Sequence, residues 1–248
     1  MDTLGALTKC KSVFGSGSER DEILGGLDER LARGVTLSWL EVGVGDGKNL
    51  QYLLESLGGS RSFVVTAIDP SPNSAKQIVS RYPIKVERKT VESFRTTKRY
   101  DCINARQCAY YFDNPPLMFL RLARLLSANG VLVATIWSDN CILLALNGLI
   151  ANSLGSSQVA LRPDSLIANL SSEEFVIDRC VEDCGSVSIA QLRAERQTFI
   201  ALCALAARKI DMRRLPEGRL DYLLHQLENL ERAGSRRENE IIFVRRRS

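Results

Sequence analysis

The segment SWLEVGVGDGKNL, residues 38–50, carries three glycines at alternate positions, Gly43, Gly45 and Gly47. A backbone without Cβ atoms lets a ligand lie against a turn, and it also lets the chain adopt positive φ. Nucleotide-like cofactors, phosphates and plain turns all use such glycines. The dinucleotide fingerprint G-x-G-x-x-G would place a glycine where Lys48 stands, and the phosphate loop would follow its Gly-Lys with Ser or Thr where Asn49 stands. Both spacings fail. A second chemical signal is Asp69, which ends the apolar run SFVVTAID just before Pro70. A carboxylate there accepts hydrogen bonds from ribose hydroxyls, or, in the plainer reading, starts a turn.

Rigid elements have to hold these groups. LSWLEV reads as a strand, and after the glycines Leu50, Leu53, Leu54 and Leu57 follow the i, i+3, i+4, i+7 spacing of a buried helix face, ended by Gly58-Gly59. SFVVTAID is a second strand, with Ala75, Ile78, Val79 and Tyr82 at helical spacing behind it. IKVER and YDCINA follow as strands three and four. Met118, Leu122, Leu125 and Leu126 stripe a helix capped by Asn129-Gly130, and VLVATIW is the fifth strand. A helix also starts near Ser18 and carries Ile23, Leu24, Leu27 and Leu31. In the last third, FVIDRCVEDCGSVSI reads as one long strand, Ala190–Ile210 and Pro216–Ala233 as helices, and EIIFVRR as the final strand. Strands alternating with amphipathic helices predict an α/β fold: a doubly wound, mainly parallel seven-stranded sheet whose last strand is antiparallel. Residues 1–248 are expected to form one domain, with 1–17 as an N-terminal flap and the helices of 190–233 inserted as a lid between the last two strands.

The run Glu41-Val42-Gly43-Val44-Gly45-Asp46-Gly47, with Asp69 after the next strand, resembles the first motifs of the class I S-adenosylmethionine-dependent methyltransferases. The resemblance covers roughly Leu37 to Trp137 and implies a Rossmann-like methyltransferase fold with S-adenosyl-L-methionine as cofactor. It implies cofactor contacts at Glu41, Gly43, Gly45, Gly47, Asn49, Asp69 and Pro70, then at Thr90 and Val91 beside the adenine, and at Asn104, Arg106 and Gln107 beside the methionine part. Thr90 stands where many relatives carry Asp, and Glu92 reads equally as surface charge.

RQCAYYFDN, residues 106–114, is similar to the corresponding stretch of histamine N-methyltransferase relatives. That similarity implies that Gln107, Tyr110 and Tyr111 face the substrate; packing at a helix start is the other reading of the tyrosines. Asn114-Pro115-Pro116 lies beyond the fourth strand and is followed by Leu117, so it reads as a proline helix start and not as the motif of DNA-base methylation. Asp139, after the fifth strand, either orients an amine and accepts a proton or caps a helix. Catechol-type chemistry would require an acid where Arg106 and Gln107 stand, so no catalytic metal is expected. His225, the single histidine, shares a polar helix face with Asp221 and Glu228 opposite Leu220, Leu223, Leu224 and Leu227, which predicts exposure.

The chain has 248 residues, 45% of them hydrophobic, and a net charge of +4, the composition of a globular core-former. No apolar run approaches the ~20 residues of a membrane span. The polar start MDTLGALTKCKS lacks a signal-peptide block. Seven cysteines without a repeated short spacing fit a reducing cytoplasmic setting. The leading functional expectation is methyl transfer to nitrogen or oxygen of a small molecule. Arg193, Arg196, Arg208, Lys209, Arg213, Arg214 and Arg219 make the lid basic, which points to an acidic acceptor and conflicts with an amine. RNA or protein methylation, docked on that lid and on Arg245–Arg247, is an alternative, as is a non-catalytic cofactor-binding subunit. DNA and membrane partners are not expected, and the oligomeric state is open.

Overall fold

A computed structural model describes residues 19–71, 74, 78, 80–156, 160–207 and 210–247. The expected flap, residues 1–17, and part of the helical spacing from Ala75 to Val79 lie outside them. The elements are α1 (Glu19–Arg30), β1 (Thr36–Val42), α2 (Lys48–Leu57), β2 (Ser62–Ile68), β3 (Ile84–Glu87), β4 (Tyr100–Arg106), α3 (Pro115–Arg124), β5 (Leu126–Trp137), α4 (Ile142–Ser153), α5 (Pro163–Ile167), β6 (Phe175–Asp183), α6 (Ile189–Ala194), α7 (Arg196–Ala207), α8 (Glu217–Arg232) and β7 (Glu238–Arg246). The seven strands form one sheet in the order β3-β2-β1-β4-β5-β7-β6. β3, β2, β1, β4 and β5 pair in parallel, while β7 runs antiparallel to both of its neighbours.

By fold contacts the chain divides into two compact units. The first comprises Glu19–Ile136, Asp164–Cys180 and Ile241–Ser248. Its main core lies on the sheet face covered by α1 and α2, where Ile23 and Leu27 meet Leu50, Leu53, Leu54 and Leu57 over Leu37, Trp39, Phe63 and Val65. Trp39 and Phe63 pack edge to face at 5.7 Å, and Phe63 and Tyr82 repeat that geometry at 5.1 Å. The C-terminal end of α1 is closed by Arg61, whose buried guanidinium donates to the carbonyls of Asp28, Leu31 and Ala32 and pairs with the Asp28 carboxylate at 2.6 Å. A cation at the negative end of a helix satisfies carbonyls that the helix itself leaves open.

The register places Glu41 of β1 opposite Asn104 of β4, and Arg106 opposite Thr135 of β5. Because side chains alternate along a strand, these groups follow Trp39, Cys102 and Val131 on the core face and form its last, polar row. Glu41 accepts hydrogen bonds from Trp39 Nε1 at 2.9 Å and from Asn104 Nδ2 at 2.9 and 3.0 Å. One step further along β4, Arg106 makes a two-pronged pair with Glu19, at 2.9 and 3.2 Å, at the start of α1.

The second unit gathers Trp137–Pro163 and Val181–Glu240. α4 is apolar almost all round, with Ile142, Leu143, Leu144, Leu146 and Ile150 buried, and it packs on α7 and α8. Asn147 is the polar exception: its buried amide donates to the Ala206 carbonyl at 2.7 Å, near the open end of α7.

Several elements differ from the sequence expectation. The helix expected to run to Asn129-Gly130 stops at Arg124, and Leu126 already opens β5. Asn129 and Gly130 lie instead in an irregular stretch where the register with β4 shifts between Tyr100 and Cys102. A Cβ on Gly130 would stand 2.6 Å from the Tyr100 carbonyl oxygen, so close backbone approach is the reason for this glycine. The long strand expected to reach Ile189 ends at Asp183, since Gly185 turns the chain at φ +85° and Asp183 accepts its N–H at 2.7 Å. The helix expected over Ala190–Ile210 breaks at Glu195 into α6 and α7. α4 and α5 carried no sequence expectation; an all-round apolar helix lacks the polar face that would reveal its period.

Burial pushes the Glu41 carboxyl up from 4.5 to about 7, against the lowering effect of its donors Trp39 and Asn104 and of the Arg106 charge. The unfolded chain releases this proton near 4.5 and the folded chain keeps it to about 7. The stabilising contribution of the neutral carboxyl is therefore complete below the lower value and is lost as pH rises through the upper one. The difference is on the order of 3 kcal/mol. Glu41→Gln should remove this slope, so that denaturant midpoints measured at about pH 5 and about pH 8 converge relative to the parent protein; an undiminished slope would contradict the assignment.

Candidate cofactor and transfer site

The glycine turn joins β1 to α2 at the carboxyl end of the parallel strands, beside the point where strand order reverses between β1 and β4. Gly43, Gly45 and Gly47 take φ of +71°, +56° and +82°, a region that side-chain-bearing residues rarely enter. Each glycine has its own surroundings. A Cβ on Gly43 would lie 2.7 Å from Cys108 Cβ, and one on Gly47 would lie 2.0 Å from Ile78. At Gly45 a Cβ would meet no atom within 4 Å, so the bare backbone there fronts open space.

Asp69 fixes this turn. Its buried carboxylate accepts the Gly45 N–H at 3.0 Å and the Ser71 N–H at 2.8 Å, while Gly43 N–H donates to the Ile68 carbonyl at 2.8 Å. The end of β2 and the turn after β1 are thereby one hydrogen-bonded unit. A carboxylate has about four acceptor positions, so two backbone donors leave capacity for hydroxyls. Pro70 is exposed beside it. Asn49, early in α2, has both side-chain polar atoms buried without a partner among the described residues. An unpaired buried amide next to a turn that fronts open space fits a polar group laid against that turn.

The remaining cofactor expectations divide. Thr90 is exposed and accepts the Ser93 N–H at 3.3 Å, shaping the turn that follows Val91. Val91 is buried, and its carbonyl accepts from Arg121 at 3.2 Å. Glu92 is not loose surface charge: its carboxylate accepts the Asp113 N–H at 2.9 Å and ties the loop after β3 to the loop after β4. Glu41, Asn104 and Arg106 make contacts within the protein that the sequence did not foretell. Strand alternation sends them onto the core face under α1, where the Asn104 amide donates to Glu41 and Arg106 pairs with Glu19, while Asn104 Oδ1 is buried without a partner among the described residues.

Gln107 is the described non-glycine residue with positive φ, at +51°. Its N–H donates to the Thr135 carbonyl at 2.9 Å, which extends the β4–β5 pairing by one residue as the chain turns. Cys108 then packs over Gly43, so the loop after β4 sits directly against the glycine turn. The paired tyrosines separate within the short helical turn Ala109–Tyr111: Tyr110 is buried at 7% exposure and Tyr111 is exposed at 38%. Asn114 caps α3 by accepting the Leu117 N–H at 3.2 Å, with Pro115 and Pro116 in its first turn, as a proline helix start requires.

Asp139 belongs to the second unit. It does not cap α4, whose N-cap is Cys141; its carboxylate pairs with Arg162 at 2.9 Å. Two of the cations expected to make the helices there basic are paired with acids. Arg193 pairs with Glu228 at 2.6 Å, Arg196 with Asp221 at 3.0 Å, and Arg219 stacks over Tyr222. Arg208 and Lys209 lie outside the described residues. His225 is exposed, 3.4 Å from the Asn229 amide.

The contacts of Cys108, Glu92 and Glu19 escaped sequence reasoning. Cys108 carries no spacing signal, and an acid whose partner is a distant backbone N–H or an arginine 87 residues away looks like ordinary surface charge. Among the described residues no three His, Cys, Asp or Glu side chains cluster so as to hold a metal ion, and no helix is long and apolar enough to cross a membrane.

Nothing matches among curated proteins. Among solved structures, the chain is similar to loganic acid methyltransferase with SAH, at 12% identity over 93% of this chain and 92% of that one, TM-score 0.63. It is also similar to a mycolic acid cyclopropane synthase complexed with SAH and CTAB, at 16% identity over 94% and 90%, TM-score 0.59. A cyclopropane synthase from Mycobacterium tuberculosis matches at 15% identity over 93% and 83%, TM-score 0.58. At these identities the likeness speaks for the fold, which is the seven-stranded sheet found here. The family described as "Methyltransferase domain" matches residues 18–171, more than half of the sequence, and the chain belongs to that family.

Proposed function

We propose that this protein is an S-adenosylmethionine-dependent methyltransferase whose acceptor is nitrogen or oxygen of a small molecule. The observation that carries the reading is the junction of two loops: the glycine turn, held by Asp69, and the loop after β4, in which Gln107 takes positive φ and Cys108 packs on Gly43. The SAH-bound neighbours and the family match support the cofactor, and loganic acid methyltransferase supports a small acceptor.

When bound, S-adenosylmethionine supplies a methyl group already activated on a sulfonium. Gly45 offers bare backbone to it, Asp69 its remaining acceptor positions, Asn49 its unpaired amide, and Val91 an apolar contact. Gln107, Tyr110 and Tyr111 orient the acceptor by hydrogen bonding and packing. Holding a nucleophile near attack distance provides most of the acceleration for an activated donor, so a dedicated strong base is not required. The pairing of Arg193 and Arg196 with acids disfavours a basic RNA-docking surface on the helices of 190–233.

SAH should raise the midpoint of heat unfolding. Asp69→Asn, which loses the charge serving both the turn and the ribose, should weaken SAH binding roughly 10–100-fold, the equivalent of about 1.5–3 kcal/mol for hydrogen bonds to a charged group. An unchanged affinity in calorimetry would remove Asp69 from the site. For the acceptor, a panel of small carboxylic acids, phenols and amines should contain compounds whose mass rises by one methyl group as SAH is released. Transfer of label to RNA or protein with every small acceptor inert would overturn the small-molecule assignment. Gln107→Gly should keep the turn, by relieving positive φ, while lowering turnover; turnover equal to the parent would show that only the backbone of Gln107 matters.

A further inference from the structure

At the other end of the parallel strands lies a cavity of about 550 Å³ between α3 and the segment leading into β4. Thr96 and Arg99 line one wall; Leu117, Leu120, Arg121 and Arg124 line the other. The four α3 residues stand at i, i+3, i+4 and i+7 and so share one helix face, distinct from the core face of Phe119, Leu122 and Ala123. α3 therefore has two apolar stripes, and only one of them is used by the core. Leu117 remains 48% exposed.

The charge around this groove is one-sided. The entering segment reads Arg95-Thr96-Thr97-Lys98-Arg99, and α3 adds Arg121 and Arg124. Arg121 is committed to the protein, donating to the carbonyls of Val91, Glu92 and Phe94. Arg99 is exposed, and Arg124, with a side chain 61% exposed, pairs among the described residues with Glu174 at 3.7 Å. An exposed pair of that length holds an arginine weakly.

We propose that this groove docks a short acidic peptide segment of a partner protein, which inserts an aliphatic side chain against Leu117 and Leu120 and sets its carboxylates on Arg99 and Arg124. Cations on both walls match a chain bearing several carboxylates better than a single small anion. The aliphatic floor distinguishes a peptide from single-stranded nucleic acid, which binds by stacking bases on aromatic rings, and among the described residues no aromatic side chain lines the cavity. Planar guanidinium groups suit carboxylates in two-pronged geometry. The groove opens at the amino ends of β4 and β5, whereas the glycine turn follows the carboxyl end of β1, so a partner seated here leaves the turn uncovered. The proposal is independent of the acceptor's identity.

The test uses the full chain and a fluorescein-labelled peptide of alternating glutamate and leucine, read by anisotropy at low salt. Saturable binding is expected, weakened at least tenfold in Arg99→Glu and in Arg124→Glu, and weakened similarly when serine replaces the peptide's leucines. Leu117→Asp, at an exposed position, should reproduce the loss, and cooperative heat unfolding checks that each variant is folded. Absence of saturable binding, binding indifferent to these variants, or binding that survives loss of the leucines would overturn the proposal. So would a single-stranded oligonucleotide that binds more tightly than the peptide with the same dependence on Arg99 and Arg124.

Discussion

Between β1 and β4 the sheet changes its direction of growth, and every residue of the candidate site depends on that reversal. β2 and β3 extend to one side and β4 and β5 to the other. With right-handed crossovers on both sides, the chains leaving β1 and β4 turn to opposite faces, and a crevice opens between their first residues. The crevice has to be walled by backbone that can turn sharply at once. Gly43, Gly45 and Gly47 on one side and Gln107 on the other all adopt positive φ for this reason. Two of the glycines also make room for neighbours, Cys108 and Ile78, so the turn is set by packing from outside as much as by its own freedom. Asp69 then joins β2 to the turn through the Gly45 N–H, which gives the crevice a fixed floor.

The polar row just beneath the crevice shows what this placement requires. An apolar core could have continued through Glu41 and Asn104, yet the chain keeps a buried carboxyl there with a proton affinity raised to about 7. The pair spans β1 and β4, the strands on either side of the reversal, and the adjacent Arg106–Glu19 pair ties β4 to the first turn of α1. Hydrogen bonds are directional where aliphatic contacts are not, so this row sets the spacing of the two strands that bound the site. Removing one partner of such a buried set leaves the other unsatisfied and costs more than the pair contributes.

The sequence made the glycine turn and its neighbouring acid legible as a local unit and left the contacts of the loop after β4 largely unread. A strand-turn-helix unit with glycines at positions 43, 45 and 47 and an acid at 69 is a local pattern, confined to short segments whose period and breaks are visible. The mainly parallel sheet with an antiparallel last strand followed from the same alternation. Other features resisted for identifiable reasons. Gly130 resembled a helix cap because a glycine required by close approach to Tyr100 has the same letter as one required by a helix end. α4 was invisible because its apolar residues cover all sides. The Glu41–Asn104 and Arg106–Glu19 contacts were not foreseen, because proximity in sequence to a turn says nothing about which face of a strand a side chain occupies. The basic reading of the helices between β6 and β7 could not pair Glu228 and Asp221 with their arginine partners, which lie 35 and 25 residues away.

The contrast between donor and acceptor has a physical basis. A cofactor that approaches a bare backbone is recognised by the absence of side chains, and an absence can be satisfied only by glycine; the pattern is therefore narrow and readable. An acceptor is recognised by side chains whose types vary with its chemistry, held in place by loops whose geometry is non-local. Gln107 shows the difference. Its φ of +51° runs against the preference of a side-chain-bearing residue, and the strain is sustained by the backbone bond to Thr135 and the packing of Cys108 on Gly43. Glycine at that position would serve the turn with less strain, and a pattern read from the sequence alone gives no sign that the chain turns here on a glutamine.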